Sequence, residues 1–208
     1  MKQNQFGRSM IEMLGVLAII GVLTAGGVVG FNRAMSAYRW NMALGQWDTL
    51  VNMVVKYKAQ LHINDGSQTI ASLSLLPILE ATGELPDNMQ IKNCETLQND
   101  CYIVDAMKNK IYIYSHNTKY VGIRSYYHNK NNYETCRLFM NMAKTNHNII
   151  DEAEFYNVKP IVIFYGDSKC TKGREARCLK NLTISQINEI CKDENIFKGN
   201  GLFLMYWF

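Results

Sequence analysis

The segment formed by residues 10–31 constrains this chain most, because it is apolar apart from Glu12, Thr24 and several glycines. A helix of about 22 residues is long enough to cross the hydrocarbon core of a bilayer. A lone carboxylate in that core is unfavourable by about 3 kcal/mol on insertion scales for charged residues. The segment is therefore predicted to enter a membrane and later to pair Glu12 with an opposite charge.

A short polar leader, residues 1–7, precedes this segment, carries Lys2 and ends at Gly7. This start resembles the class III signal of type IV pilins and related pseudopilins. That family is cut after a glycine and carries Glu at the fifth position of the mature chain. Cutting after Gly7 makes Arg8 the first mature residue and Glu12 the fifth.

The resemblance covers about the first 30 residues, and the apolar core at residues 17–23 keeps the register of the family. Arg8 stands where the family usually has Phe, Met or Leu, and Val29 where it often has Pro. Interior glycines near Val29 cost roughly 1 kcal/mol each relative to Ala. They are expected to loosen the helix in place of the proline.

The resemblance also implies how such a chain is processed and assembled. A prepilin peptidase would remove the leader after Gly7 and N-methylate Arg8, and Glu12 of one subunit would meet the amine of its neighbour. The implied partners are identical or related pilin subunits, the peptidase, the inner-membrane assembly machinery and, before assembly, membrane lipid. The chain would first span the bacterial inner membrane once, with its C-terminus periplasmic, and then form an extracellular pilus.

Six cysteines follow the apolar segment. An even count confined to the exported portion indicates disulfides formed in an oxidising compartment. Six cysteines permit 15 pairings, of which the close pairs Cys94–Cys101 and Cys170–Cys178 suggest local loops. The remaining pair would close a long loop. Loop-closure entropy assigns roughly 4 kcal/mol to the long loop and roughly 2 kcal/mol to each short one.

A weaker resemblance concerns two segments that read as cysteine-bearing helices, residues 131–138 and 182–192. Both are similar to segments of type IVb pilins, the toxin-coregulated and bundle-forming kind. In that group a helix cysteine is bridged to a late cysteine before the last strand. The resemblance therefore implies a disulfide between Cys136 and Cys191.

Beyond the membrane segment the apolar residues keep a helical spacing, as at Met35, Tyr38 and Met42. One continuous helix is predicted from about Arg8 to about His62, ended by turn residues at 64–67. Trp47, Leu50, Val51, Val54 and Leu61 extend the same stripe.

The rest of the chain alternates between short helices and strands rich in β-branched and aromatic residues. We predict a short helix at 69–82 interrupted or ended near Pro77, strands at 102–106, 110–115, 120–126, 161–165 (buried) and 202–207, and helices at 131–144 and 183–191, the latter N-capped by Ser185. This order predicts an α+β roll, a pilin fold in which a long N-terminal helix packs on a mostly antiparallel sheet with flanking helices. The domains are then a leader (1–7), a transmembrane and assembly helix (8–31), its amphipathic continuation (32–62) and an exported globular domain (63–208).

The chain carries no motif that predicts catalysis. A net charge of +4 is too small to indicate a nucleic-acid binder, and no histidine lies at zinc spacing from a cysteine. No phosphate loop or nucleophile elbow occurs, so we predict no enzyme, cofactor, metal or specific nucleic acid. The leading hypothesis is a structural subunit of a type IVb-like pilus. The alternatives are a minor pilin or type II secretion pseudopilin, a pilus-tip adhesin and, disfavoured, a signal-anchored periplasmic enzyme.

Overall fold

The computed structural model describes residues 10–61, 72–86, 88–94, 101–116, 120–127, 132–156, 161–193, 196 and 201–207. The chain divides into two compact units, Met1–Asn41 and Met42–Phe208. Helix α1, Met10–Leu61, contributes to both units. The long helix expected from the apolar spacing is thus confirmed over the described residues, and the turn predicted at 64–67 lies outside them.

The unit Met42–Phe208 is an α+β fold. Its strands are β1 (Ser72–Ser74), β2 (Ile103–Val104), β3 (Lys110–His116), β4 (Tyr120–Tyr127), β5 (Glu152–Tyr156), β6 (Val162–Tyr165) and β7 (Gly201–Trp207), and its further helices are α2 (Leu76–Ala81), α3 (Asn132–Thr145) and α4 (Ile184–Lys192). The strand order is β1-β3-β4-β7-β5-β6, β2 also pairs with β3, and these pairs are antiparallel. The predicted fold class, a long N-terminal helix with an antiparallel sheet and flanking helices, is confirmed.

Strand β7 lies at the centre of the sheet, between β4 and β5. Met205 pairs with Ile123 on one side and Ala153 on the other, and all three are buried. Side chains alternate between the two faces of a strand, so Phe203 shares this face. Its ring stacks on Phe139 of α3, with 4.9 Å between centroids. This face of the sheet therefore forms the core with the helices.

The second half of α1 supplies its own apolar stripe to that core. Its fully buried residues, three or four positions apart, include Ala43, Trp47, Leu50, Val51 and Val54. The ring of Trp47 meets Phe139 edge-on at 6.5 Å. Each fully buried aliphatic side chain contributes roughly 2 kcal/mol, so this stripe holds the second half of α1 in the core of the unit Met42–Phe208.

Two predicted elements differ from the structure where polar residues or proline redirect the chain. The segment 69–82 contains β1 and then α2, and Pro77 lies in the first turn of α2 instead of ending a helix. Proline is favourable there because its missing N–H would be unpaired in any case. The strand predicted at 102–106 shortens to β2, because the Asp105 carboxylate accepts the backbone N–H groups of Met107 and Asn109 at 2.9 and 2.8 Å and so forms a turn.

Most of the remaining predicted strands and helices occur in the structure. The predicted strands at 110–115, 120–126 and 202–207 and the helix at 131–144 occur with bounds within about one residue. The strand predicted to be buried occurs as β6, but it lies at an edge of the sheet and only Phe164 in it is buried. Ser185 does not cap α4, since the Thr183 hydroxyl accepts the Gln186 backbone N–H at 3.2 Å while the Gln186 side chain accepts the Thr183 N–H at 2.8 Å. No strand was predicted where β5 lies.

Candidate assembly site

The first half of α1 exposes its apolar residues. Val22 and Leu23 are 73% and 69% exposed. The most apolar 18-residue window of the helix has a mean hydropathy of 2.3 and no buried residue. The helix is thus long and apolar enough for a single pass through a membrane, by length and composition.

Small residues interrupt this exposed surface. A side chain added at Gly15, Gly21 or Gly26 would meet no atom within 4 Å, so no contact within the described chain requires a glycine there. Such positions allow another helix to approach closely. The hydroxyl of Thr24 donates to the carbonyl of Ile20 at 2.7 Å, which satisfies this polar group inside a membrane.

Glu12 lies exposed in the first turn of α1, where the helix dipole favours a negative charge. Among the described residues, none forms an ion pair with Glu12. The first described cation after it, Arg33, follows about 31 Å further along the helix axis. Gly7 and Arg8, the predicted processing residues, lie outside the described residues. Any cation that pairs with Glu12 would therefore come from outside the described part of the chain.

The second half of α1 is tied to the sheet unit by buried polar contacts. The indole N–H of Trp47 donates to the Asp105 carboxylate at 3.0 Å. At the neighbouring positions, the Ala106 N–H donates to the side-chain oxygen of Gln46 at 2.8 Å. Both contacts join residues about 60 positions apart, so they fix the rotation of the helix about its axis.

Exposed groups add a weaker link near the end of α1. The Glu84 carboxylate accepts hydrogen bonds from the Lys56 ammonium and, at 2.8 Å, from the Tyr57 hydroxyl. The hydrogen bond to Glu84 raises the pKa of Lys56, and the one from Lys56 lowers the pKa of Glu84. Ion pairs in open solvent contribute little stability because water screens them.

The six cysteines form three disulfides, Cys94–Cys101, Cys136–Cys191 and Cys170–Cys178, with Cα–Cα distances of 4.7, 5.6 and 5.5 Å. These are the pairs named in the sequence analysis. The second joins α3 to α4, and its two cysteines are buried. The third closes a loop in which residues 171–177 are all exposed.

The buried carboxylate of Glu154, on the sheet face opposite the helices, was not predicted from the sequence. The hydroxyl of Tyr206 donates to Glu154 at 2.5 Å, and the ring of Tyr120 contacts that of Tyr206 at 4.6 Å. Burial raises the pKa of Glu154 and those of Tyr114 and Tyr206. The alternation of polar and apolar residues along Glu152–Tyr156 is the period-two signal that could have predicted this strand.

No group of three or more His, Cys, Asp or Glu in the described part of the chain is placed to hold a metal ion. No family model, curated protein or solved structure matches the chain.

Proposed function

We propose that this protein is a structural subunit of a type IVb-like pilus, held in the bacterial inner membrane before assembly and polymerised through α1. One observation carries the proposal. Helix α1 exposes an apolar surface with a single carboxylate over residues 12–31 and buries an apolar stripe over residues 43–54. Soluble monomers rarely leave so large an apolar surface uncovered. Lipid before assembly and neighbouring helices after it would cover this surface.

Processing would supply a new cation that can pair with Glu12. Removal of residues 1–7 by a prepilin peptidase, with N-methylation, leaves an amine on Arg8. Two unit charges 4 Å apart attract by about 4 kcal/mol at an effective dielectric constant of 20, and part of this is lost to desolvation. Because Arg8 and Glu12 are four residues apart, pairing between parallel subunits would offset them by roughly 6 Å.

Helix contacts would complete assembly once the charges have paired. In a bilayer, apolar side chains gain little by leaving lipid for protein, so close packing at small residues carries much of the specificity. The glycines of α1, where an added Cβ would meet no atom of the described residues within 4 Å, suit this role. The disulfide-bonded unit would then face outward, and its cross-links would limit unfolding under mechanical load.

The proposal predicts the effect of Glu12→Ala in cells that carry the assembly machinery. The variant should remain in the membrane, while the yield of sheared filaments falls by roughly tenfold or more, which corresponds to about 1.4 kcal/mol of lost pairing. Immunoblots of the membrane and sheared fractions measure both quantities. Thr24→Ala is the matched control, because it changes one polar residue of the same surface whose hydrogen bond is made within its own helix.

A wild-type filament yield from Glu12→Ala cells would overturn the assembly role of Glu12. The mass of the N-terminal peptide tests the processing step separately. A peptide that begins at N-methylated Arg8 supports a pilin-class subunit, whereas an intact Met1 points to a plain signal anchor. The abundance of the chain in the filaments separates a major subunit from a minor pilin or tip protein.

A further inference from the structure

At the end of the apolar stretch and directly beyond it, α1 carries a group of aromatic and cationic residues, which we call the belt: Phe31, Arg33, Tyr38, Arg39 and Trp40. Phe31 and Tyr38 are 65% and 57% exposed. Arg33 and Arg39 are exposed as well, and Trp40 is half-buried. The belt lies within the unit Met1–Asn41 and does not belong to the core of the sheet.

All charged side chains in this region are positive. The sequence contains no Asp or Glu between Glu12 and Asp48, so Arg33 and Arg39 are the only charged side chains in that interval. Neither arginine forms an ion pair with any residue that the structure describes. Helical neighbours three or four positions away cannot supply an anion, so the two guanidinium groups are open to an anion from outside the chain.

Their depth matches the headgroup layer of a membrane. Residues 10–31 extend about 32 Å along the helix axis, which is close to the ~30 Å thickness of the hydrocarbon core. Arg33 and Arg39 then follow the end of the core by about 3 and 12 Å. Arginine side chains reach several ångströms back along the helix by snorkelling, and Tyr and Trp favour the same interface.

The arrangement of the belt around α1 favours lipid over a protein partner. Residues seven positions apart share a helix face, so Phe31 and Tyr38 lie on one side. Arg33 and Trp40 are also seven apart and lie on another side. A belt that surrounds the helix fits a lipid surface, which contacts it from every direction, whereas a protein partner would select one side.

We propose that Arg33 and Arg39 bind the phosphate groups of anionic phospholipids on the exported face of the membrane. This inference rests on the membrane orientation in the proposed function. Cations on the exported side oppose the usual positive-inside bias, and a lipid ligand gives them a role there. Guanidinium groups bind phosphate through two parallel hydrogen bonds. The belt would hold each subunit at a fixed depth until assembly withdraws it.

The test uses the full chain reconstituted in phosphatidylcholine vesicles that also contain phosphatidylglycerol. After extraction in mild detergent, mass spectrometry counts the phosphatidylglycerol and phosphatidylcholine molecules that stay bound. One arginine near an anionic surface is worth roughly a fivefold preference, so Arg33→Gln/Arg39→Gln should lower the ratio of the two retained lipids by roughly 20-fold. Arg33→Lys/Arg39→Lys keeps both charges and should retain most of the preference.

The matched control is Lys172→Gln/Arg177→Gln, which removes two exposed cations from the disulfide loop and should leave the lipid ratio unchanged. Equal ratios for the wild type and Arg33→Gln/Arg39→Gln would overturn the proposal, as would an equal loss in the control. Carbonate washing of the vesicles tests the membrane span separately from the lipid preference of the belt. Release of the wild-type chain would overturn the membrane span and the belt together, whereas firm insertion without lipid preference would overturn the belt alone.

Discussion

Gly166 shows how closely two backbone segments can approach beside β6. Its N–H donates to the Asp151 carbonyl at 2.9 Å, and a Cβ added to it would lie 1.6 Å from the carbonyl oxygen of Ile150. Because that obstacle is backbone, Gly166→Ala should lower the free energy of unfolding by about 3 kcal/mol. Urea titration of the full chain in detergent, followed by tryptophan fluorescence, measures this loss.

Gly45→Ala is the control for that substitution. Gly45 is an exposed residue of α1, and an added Cβ there meets no atom within 4 Å. Alanine in a helix interior is favoured over glycine by roughly 1 kcal/mol, so this variant should be slightly more stable than the wild type. Similar changes from both glycines would contradict the close approach at Gly166.

Glu154 links stability to pH. Burial raises its pKa above the ordinary value of 4.5, so the folded chain holds this proton more tightly than the unfolded chain. Stability therefore falls as the pH rises from about 4.5 through the raised folded pKa. Glu154→Gln keeps an acceptor for Tyr206 and removes the titration, so its stability relative to the wild type should increase with pH across that window.

Urea titrations of Glu154→Gln and the wild type between acid and neutral pH test this dependence. Glu80→Gln, an exposed substitution on α2, controls for the loss of one negative charge. A stability difference for Glu154→Gln that stays constant with pH, or that shrinks as the pH rises, would refute the assignment.

At this scale the residues themselves were informative only about near neighbours, and the long-range pair Cys136–Cys191 was implied by the family resemblance. The pairs Cys94–Cys101 and Cys170–Cys178 are 7 and 8 residues apart, and short loops are readily proposed from spacing. The bonds Trp47–Asp105 and Tyr206–Glu154 join residues 58 and 52 positions apart. No local pattern marks such partners, because they meet only after the sheet has formed.

At the scale of elements, the start of α4 offers a direct comparison. Thr183 and Gln186 bond each other's backbone N–H groups, a capping box that stabilises the first turn. Thr183→Ala should lower the free energy of unfolding by about 1 kcal/mol. Ser185→Ala, an exposed change in the same turn, should cost only a few tenths, since Ser185 is not the cap. The thermal midpoints of the two variants measure these losses. A larger loss of stability from Ser185→Ala than from Thr183→Ala would contradict the observed cap.

Elements with a strong internal period were predicted best. Helix α1 keeps its apolar spacing over many turns, so the prediction depended on no distant contact. Strand β1 and helix α2 were confused because three strand residues and a proline give little local signal. Strand β5 went unpredicted since two of its five residues are glutamates, which are uncommon in strands. One of them, Glu154, is buried and accepts a hydrogen bond from Tyr206.

For the whole molecule, the disulfides should differ in what they contribute. Cys136–Cys191 spans 55 residues and Cys170–Cys178 spans 8. Loop-closure entropy predicts that Cys136→Ser/Cys191→Ser lowers the free energy of unfolding by roughly 4 kcal/mol and Cys170→Ser/Cys178→Ser by roughly 2 kcal/mol. Urea titration and limited proteolysis measure both losses. An unchanged midpoint and protease resistance for the first variant would argue against a stabilising bridge.

The class of the fold was predictable, but the order of its strands was not. Alternating short helices and strands after a long helix already indicate an α+β arrangement. Strand β7 follows β6 in sequence yet lies between β4 and β5. In that position Phe203 packs against Phe139 of α3, and Met205 pairs with buried residues of β4 and β5. These contacts join distant segments, so the sequence of one segment does not predict them.

The central position of β7 means that the sheet can close only late in synthesis. Strand β4 ends at Tyr127 and β7 begins at Gly201, so the ribosome must add about 75 more residues before the sheet can close, which takes roughly 4 to 15 s. Until β7 is made, β4 and β5 each have an edge that is not paired with it. The disulfide between Cys136 and Cys191 also cannot form before Cys191 has been added. A chain interrupted before Gly201 would be left with two half-sheets, so only a chain that includes β7 can complete the sheet.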